Sequence, residues 1–214
     1  MRKITTFLFL LLGLSLSTLC YGQHTNTNSG TNFWFGYTET SDGVSAQYVV
    51  YITSLDTTKG TVSIPGFSWS SPFIVVPGTP TRIVLPSADV VVSSFTGPVN
   101  QAVNVIADSN VSVFASIEYS ERSDNTCILP VTELGTDYYI IDFSLCQSFS
   151  NFMVVAEGCK DSVEITPSQN ITVGGSHLAG VPYTEVLSPG QVLLVQSDGD
   201  LTGSRVRSLN HSET

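Results

Sequence analysis

The sequence predicts an all-β protein made of antiparallel, β-sandwich-like units in tandem. From residue 33 onward, apolar residues alternate with polar ones or form short runs rich in Val, Ile, Thr, Phe and Tyr, as strands do. Turn-forming pairs such as Pro77-Gly78 and Pro189-Gly190 separate these runs. No stretch of helical length carries a helical apolar stripe without Gly or Pro. Propeller-like blades are the alternative packing for strands of this length and spacing.

Seven strands are predicted in the first part of the chain, each because a β-branched or aromatic run ends at turn formers. They are FWFGYT (33–38), QYVVYIT (47–53), GTVSI (60–64), FIVV (73–76), TRIVL (81–85), QAVNVIA (101–107) and SVFASIEY (112–119). Pro65-Gly66 ends the third strand, Pro77-Gly78 separates the fourth from the fifth, and Gly97-Pro98 precedes the sixth.

Seven more strands follow on the same grounds. They are CIL (127–129), YYIIDF (138–143), FMVVA (152–156), SVEIT (162–166), YTEVL (183–187), QVLLVQ (191–196) and SRVR (204–207). Gly174-Gly175 precedes YTEVL, and Pro189-Gly190 separates it from QVLLVQ.

The first 22 residues form a predicted signal peptide. Arg2 and Lys3 precede an apolar run at 6–19, and small residues follow up to Gly22, after which we expect cleavage. The run is too short for a membrane span, which needs about 20 residues. Lipid attachment at Cys20 is the alternative, disfavoured by the bulky residue before it. We therefore expect a secreted or cell-surface protein whose polar residues 23–32 form a flexible leader.

The charge of the chain is strongly acidic. Without residues 1–22, six Lys and Arg remain against 18 Asp and Glu, which gives a net charge near −12. Such a surface repels phosphate backbones, so nucleic acids and anionic membranes are excluded as partners.

The chain contains an internal repeat. KGTVSIP (59–65) matches KDSVEIT (160–166), and the offset of 101 residues recurs between Val105 and Val206. This predicts two units, 33–130 and 131–214. In the first unit, VNVIADSN (103–110) is followed by VSVFASIEYS (111–120), which contains a predicted strand. In the second unit, the corresponding segment SRVRSLNH (204–211) is followed by three residues, and the sequence ends. We therefore expect a fragment whose second unit is incomplete and which self-associates through an open strand edge.

Several of these motifs carry a family resemblance. ELGTDYYI (133–140), NFMVVAEG (151–158), SVEITP (162–167) and DLTGSRVRS (200–208) resemble the signature of the IgGFc-binding protein N-terminal domain. TNFWFGY (31–37) is similar to the start of that domain in secreted proteins of Bacteroidota-like bacteria. The resemblance covers nearly the whole mature chain and implies a secreted or surface binding or adhesion module. It does not carry Fc binding over, because no residue pattern for it is established here.

Three cysteines remain after cleavage: Cys127, Cys146 and Cys159. An exported protein is expected to form disulfides. If 138–143 and 152–156 form a hairpin, Cys146 lies in its loop and Cys159 past the opposite end. A six-residue strand spans roughly 20 Å, whereas a disulfide needs Cα atoms about 4.4–6.8 Å apart. We therefore predict a Cys127–Cys159 disulfide and a free Cys146.

Catalytic and metal-binding patterns are weak, and no cofactor is predicted. His177 is the one histidine in a position to act as a base, yet nothing in the sequence supplies a nucleophile and an orienting group for it. Asp198, Asp200 and Thr202 imitate the first half of a calcium loop, but Leu209 stands where a bidentate Glu is required. A β-turn is the preferred interpretation of this segment.

The predicted function is therefore a non-catalytic binding or adhesion module for an extracellular glycoprotein or glycan. Phe67, Trp69 and His177 are the candidate binding residues, because they lie in turns that differ between the units. The other such turn is 41–47. We expect Trp69→Ala or His177→Ala to change binding without changing the melting temperature. The alternatives are a secreted carbohydrate-active enzyme and a purely structural spacer of a larger surface protein.

Overall fold

The computed structural model describes residues 27–39, 46–93, 97–120, 123–142, 149–157, 160–172 and 175–210. Within these ranges the chain is built mainly of antiparallel strands, which confirms the all-β prediction. The predicted signal peptide and residues 23–26 of the leader lie outside the described residues. None of the helices in the described ranges is long and apolar enough to cross a membrane.

The strands are numbered in chain order. Strands β1 to β7 are Ser29–Phe35, Tyr37–Thr38, Gln47–Thr53, Thr58–Ile64, Trp69–Val75, Thr81–Leu85 and Val91–Val92. Strands β8 to β15 are Val103–Glu118, Ser123–Ile128, Asp137–Tyr139, Ser150–Val155, Asp161–Thr166, Tyr183–Leu187, Val192–Ser197 and Arg205–Ser208. A four-residue helix, α1 (Ser87–Val90), and two short 3-10 turns (Pro65–Phe67 and Val131–Glu133) complete the described elements.

The largest difference from the prediction is β8. The sequence predicts two strands here, 101–107 and 112–119. The structure joins them into one strand of 16 residues. Residues 108–110 are exposed, so their polar side chains reach solvent without interrupting the strand. At the other end of the unit, β1 begins at Ser29, inside the segment that the sequence assigns to the leader.

Strand β8 organises the seven-stranded sheet of the first unit (β1 to β9). Its first half pairs with β4 and β1, and its second half pairs with β3 and β9. β5 extends the sheet beyond β4, and β6 extends it beyond β3. Because one strand serves both halves, the sheet curls around a single core, as in sandwiches whose corner strands change layers.

The core of the first unit lies between these two halves. Phe33 of β1, Val62 of β4 and Ile52 of β3 are fully buried in it. They reach it because successive side chains of a strand point to opposite faces, so every second residue meets the core. The β8 residues Val105 and Val113 join the same cluster from the two halves of the strand.

The second unit (β10 to β15) has two facing sheets. One has the order β10-β15-β12-β13, and the other is the pair β11-β14. The predicted hairpin of 138–143 with 152–156 is therefore wrong, since β10 pairs with β15 and β11 pairs with β14. Each of these two strands pairs with a strand that is distant in the sequence, and they do not pair with each other. The core between the sheets includes Ile165, Leu187 and Leu201, all fully buried.

The two units use corresponding strand pairs. β4 pairs with β5 and with the first half of β8, as β12 pairs with β13 and with β15. The register differs from the sequence alignment, because Val62 pairs with Val105 whereas Ile165 pairs with Val206. The motif alignment matches Val62 with Val163. In the structure, Ile165 occupies the position that Val62 has in the first unit, which is a shift of two residues. A shift of two preserves which face each side chain points to. The boundary at residue 130 stays a prediction.

The units are joined through β14, whose six residues are all buried. One face of β14 contributes to the second core, and the other forms a third cluster with Val92 and Ala102 of the first unit. Val99 and Val192 exchange two backbone hydrogen bonds across this junction, at 2.9 and 2.8 Å. The junction therefore combines apolar packing with backbone pairing.

Candidate functional site: an open groove beside β11

Strand β11 has one unpaired edge among the described residues. Its counterpart in the first unit, β3, lies between β6 and the second half of β8. β11 pairs with β14, the counterpart of β6, and no other strand of the described chain pairs with it. An edge of this kind leaves a row of N–H and C=O groups available for another strand.

A groove of about 730 Å³ runs along this edge. Residues of β11 line one side, and residues of β10 with the preceding segment line the other. Val163 and Val206 of the second core also line it, so the groove reaches the interior of the unit. The remaining lining residues are Trp34, Val131, Leu134, Gly135, Thr136, Tyr138, Tyr139, Ile140, Ile141, Asn151, Phe152, Met153, Val154, Val155, Ala156, Glu157, Asp161 and Ser208.

The wall formed by β10 and its flanks exposes large apolar side chains. Ile141 is 91% exposed and Tyr139 is 69% exposed, and Leu134 and Tyr138 are also exposed. The Gly135 N–H donates a hydrogen bond to Tyr138 Oη at 2.6 Å. Partial burial raises the pKa of Tyr138. Tyr138 faces the same side of its sheet as the core residue Val206, whereas Tyr139 faces the other side together with Arg205.

The charged side chains among the described lining residues are both acidic. They are Glu157 at one end of β11 and Asp161, which accepts a hydrogen bond from Ser208 Oγ at 3.0 Å. On the face of β10 that carries the Tyr139 ring, Arg205 is paired with Asp137 and lies over that ring. This pairing lowers the pKa of Asp137 through its hydrogen bond with Arg205. The described charged residues that line the groove are therefore acidic, and the positive charge beside the Tyr139 ring is paired with Asp137.

Comparison with known proteins identifies the segment that carries this groove. Residues 124–212 match the family model described as IgGFc binding protein. The family resemblance seen in the sequence is thereby confirmed over that segment, which contains β10 to β15. TNFWFGY (31–37) falls outside the match, and the bacterial affiliation stays a prediction.

A human protein with the description IgGFc-binding protein is similar to this chain. The two are 31% identical over 108 residues, which make up 49% of this chain and 2% of the human protein. The chain thus spans a very small part of the length of that relative. No solved structure matches the chain.

The predicted binding residues Phe67 and Trp69 lie in the first unit, outside the matched segment. Phe67 belongs to the 3-10 turn Pro65–Phe67 and is 45% exposed. Trp69 begins β5, pairs with Ile64, and packs half-buried against the first core. The prediction that Trp69 lies in a turn is therefore wrong. The predicted strand began at residue 73, whereas β5 begins at Trp69. A binding role for either residue stays a prediction.

Trp69→Ala is expected to lower the free energy of unfolding by about 1–3 kcal/mol, because it removes a half-buried aromatic from the edge of the core. This replaces the expectation from the sequence that the melting temperature stays unchanged. Phe67→Ala is the matched control and should change stability by less than about 0.5 kcal/mol. Chemical denaturation followed by circular dichroism measures both. Equal stability of the two variants would contradict the packing of Trp69.

His177 lies in the second unit, away from the candidate groove lining. Its ring stacks on Tyr183 with 3.6 Å between centroids, and its backbone exchanges hydrogen bonds with Ile171. Burial raises the pKa of Tyr183 to about 12, with a smaller contribution from Glu185. The arrangement gives His177 a structural contact, and its role in binding stays a prediction. Of the predicted specificity turns (41–47, 66–71 and 174–182), residues 41–45 and Gly174 lie outside the described residues.

The suggested calcium ligands form a hydrogen-bonded turn. The Thr202 N–H donates to Asp200 Oδ1 at 2.8 Å, a bond that lowers the pKa of the carboxyl group. Thr202 Oγ1 donates to the Asp142 carbonyl at 2.9 Å, and Thr172 Oγ1 donates to Asp198 Oδ2 at 3.3 Å. Within the described ranges, no cluster of three or more His, Cys, Asp or Glu side chains is arranged to hold a metal.

The structure does not support the reasoning that led to the predicted Cys127–Cys159 disulfide. Cys127 is exposed on β9 and is free, and Cys146 and Cys159 lie outside the described residues. The argument for Cys127–Cys159 relied on a hairpin that the structure does not form. The pairing therefore stays a prediction.

Sequence reasoning missed Tyr139 and Ile141 as functional candidates. A signal was available, because Tyr139 stands in the ELGTDYYI motif that carries the family resemblance. The exposure of both side chains depends on the relative positions of β10 and β11, which belong to two different sheets. A short sequence motif does not predict that arrangement.

Proposed function

We propose that this chain is a non-catalytic binding module of a secreted or cell-surface protein, of the IgGFc-binding-protein type. The groove beside β11 is the face that holds an extracellular protein partner. The observation that carries the proposal is the coincidence of an apolar, accessible groove with the segment that matches the family. The human relative is named for binding an immunoglobulin fragment, which supports a binding role over a catalytic one.

The apolar wall supports a protein ligand more strongly than a glycan. Leu134, Tyr139 and Ile141 expose large side chains next to the open edge. Their burial against a partner would contribute roughly 25 cal/mol for each Å² of apolar surface removed from water. Aromatic and aliphatic residues of this kind are common anchors of protein interfaces.

Substitution of Ile141 tests this face. The full chain is immobilised and exposed separately to the human IgG Fc fragment and to a panel of secreted glycoproteins, with binding followed by surface plasmon resonance. Ile141→Glu should weaken any interaction found by about tenfold or more, because it places a charge in an apolar contact next to an acidic groove. Leu55→Glu is the matched control, since Leu55 is 93% exposed in the first unit. It should leave binding unchanged.

Two results would contradict the proposal. One is binding that Ile141→Glu leaves intact, which would place the interface elsewhere. The other is absence of binding to every protein of the panel together with hydrolysis of a glycan substrate, which would favour the enzyme alternative.

A further inference from the structure

We propose that the face of the second unit that exposes Tyr139 and Ile141 is a docking surface for another unit of the same fold. The junction inside this chain is the template for that contact, since it joins two units of this kind. The inference deepens the proposed function by naming the kind of protein that covers Ile141, and it rests on that function in using the same wall. On the first unit, a charged network closes the complementary surface.

In the junction, the first unit contributes a receiving face at Trp34 and Gly36. Trp34 packs half-buried against the third cluster, which contains Val192 of β14. A β-carbon at Gly36 would lie only 3.3 Å from Met153 Sδ and 3.4 Å from Val192. The second unit contributes a docking face, made of the β11 and β14 side chains that point away from its core: Met153, Val155, Val192 and Leu194.

The exposed apolar residues of the second unit occupy its receiving positions. Trp34 pairs with Asn104 of β8. Tyr139 pairs with Arg205 of β15, which is 101 residues beyond Asn104 and is thus its counterpart in the repeat. Tyr139 therefore corresponds to Trp34, and Ile141 corresponds to the glycine of the receiving face. Tyr139 is 69% exposed and Ile141 is 91% exposed, whereas the second unit covers their counterparts.

The side chains of this face determine the chemistry of the partner. Exposed apolar surface calls for an apolar docking face. Ile141 replaces a glycine that lies against Met153 and Val192, so the partner needs smaller side chains at those two positions. The Asp137–Arg205 ion pair beside Tyr139 favours polar groups at the rim of the contact. The partner is therefore a unit whose two-stranded sheet presents small apolar residues outward.

The docking face of the first unit carries charged groups instead. QYVVYITS (47–54) of β3 aligns with NFMVVAEG (151–158) of β11. With the strand pairing, this alignment gives the counterparts of the four docking residues as Val49, Tyr51, Arg82 and Val84. Arg82 Nη2 donates to Glu118 Oε2 at 2.6 Å and to Gln47 Oε1 at 2.7 Å. Tyr51 Oη donates to Glu118 Oε1 at 2.6 Å.

This network covers an apolar residue. Val49 is 0% exposed although it points away from the first core, into which its neighbours Tyr48 and Val50 are packed. Arg82 and Glu118 lie on the strands at either side of it. A unit docked over this ion pair would remove its water, at a cost that apolar side chains do not carry. Terminal units of stacked-repeat proteins have polar outer faces of this kind.

Removal of the network tests the proposal on the full chain. Arg82→Ala with Glu118→Ala deletes both charges, uncovers Val49 and leaves a small residue at the position that corresponds to Val192. We expect the first unit of this double variant to dock on the second unit of another copy. Sedimentation equilibrium should show self-association at least about tenfold tighter than that of the unsubstituted chain. Because the contact is heterologous, the average mass should continue to rise with concentration.

Lys59→Ala with Asp108→Ala is the matched control, since it removes another exposed ion pair of the first unit. It should leave self-association unchanged. Adding Ile141→Ser to the Arg82/Glu118 double variant should abolish the gain. Adding Leu178→Ser should not, because Leu178 is an exposed apolar residue of the second unit outside the receiving face. Melting curves establish that all variants are folded.

Either of two results would overturn the inference. One is a folded Arg82/Glu118 double variant that associates no more tightly than the unsubstituted chain. The other is association that Ile141→Ser leaves intact, with a mass that stops at a dimer, which would show that two uncovered β3–β6 faces pair with each other. These measurements use neither the Fc fragment nor a glycoprotein, so stacking of units and the proposed function fail separately.

Discussion

Phe33→Ala is expected to lower the free energy of unfolding by about 3–5 kcal/mol, the largest effect of any substitution considered. Phe33 is 0% exposed and lies on β1 opposite Val105 of β8. Its ring fills the core where the two halves of the curled sheet meet. Removing it deletes apolar contacts and leaves a cavity that the surrounding strands cannot fully close.

Thr31→Ala is the matched control for this substitution, because Thr31 is exposed on the same strand. It should change stability by less than about 0.5 kcal/mol. Guanidinium denaturation followed by circular dichroism and by tryptophan fluorescence measures both variants. A loss below about 1 kcal/mol for Phe33→Ala would contradict the position of β1 in the first core.

Ile165→Ala is expected to destabilise the second unit by about 2–5 kcal/mol. Ile165 is 0% exposed, and it pairs with Val206 on one side and Tyr183 on the other. It therefore lies at the centre of the sheet that faces β11 and β14. Because Val206 also lines the groove, the substitution should also weaken the binding of a protein partner found for the groove.

The control for Ile165→Ala is Thr184→Ala, an exposed position on the adjacent strand β13. Its stability should stay within about 0.5 kcal/mol of the unsubstituted chain. If Ile165→Ala left both the denaturation midpoint and the binding of that partner unchanged, the second core would not have the composition described here.

The strands that the sequence predicts best are those whose alternation is cleanest. The strands 47–53, 81–85 and 183–187 have the predicted bounds. In each, β-branched residues are frequent and turn formers follow, so local preference and burial agree. The family resemblance was also readable from short motifs, because the match at 124–212 contains four of the five.

Two predictions failed for one physical reason. The hairpin of 138–143 with 152–156 and the division of β8 into two strands, 101–107 and 112–119, both rely on local sequence alone. Every backbone offers the same donors and acceptors, so local sequence does not name the strand that pairs with a given edge. Burial of side chains from the whole unit makes that choice. Trp69 shows the same limit, since its packing depends on the distant strands that form the first core.

By itself, the sequence determined the all-β class and the positions of most strands. Only the tertiary structure decided that β10 and β11 become edges of two different sheets, and that a groove opens between them. The periodicity of a strand states which side chains face a core, because that depends on local backbone geometry. The free edge is a property of the assembled sheets, because it depends on which strands have already found partners.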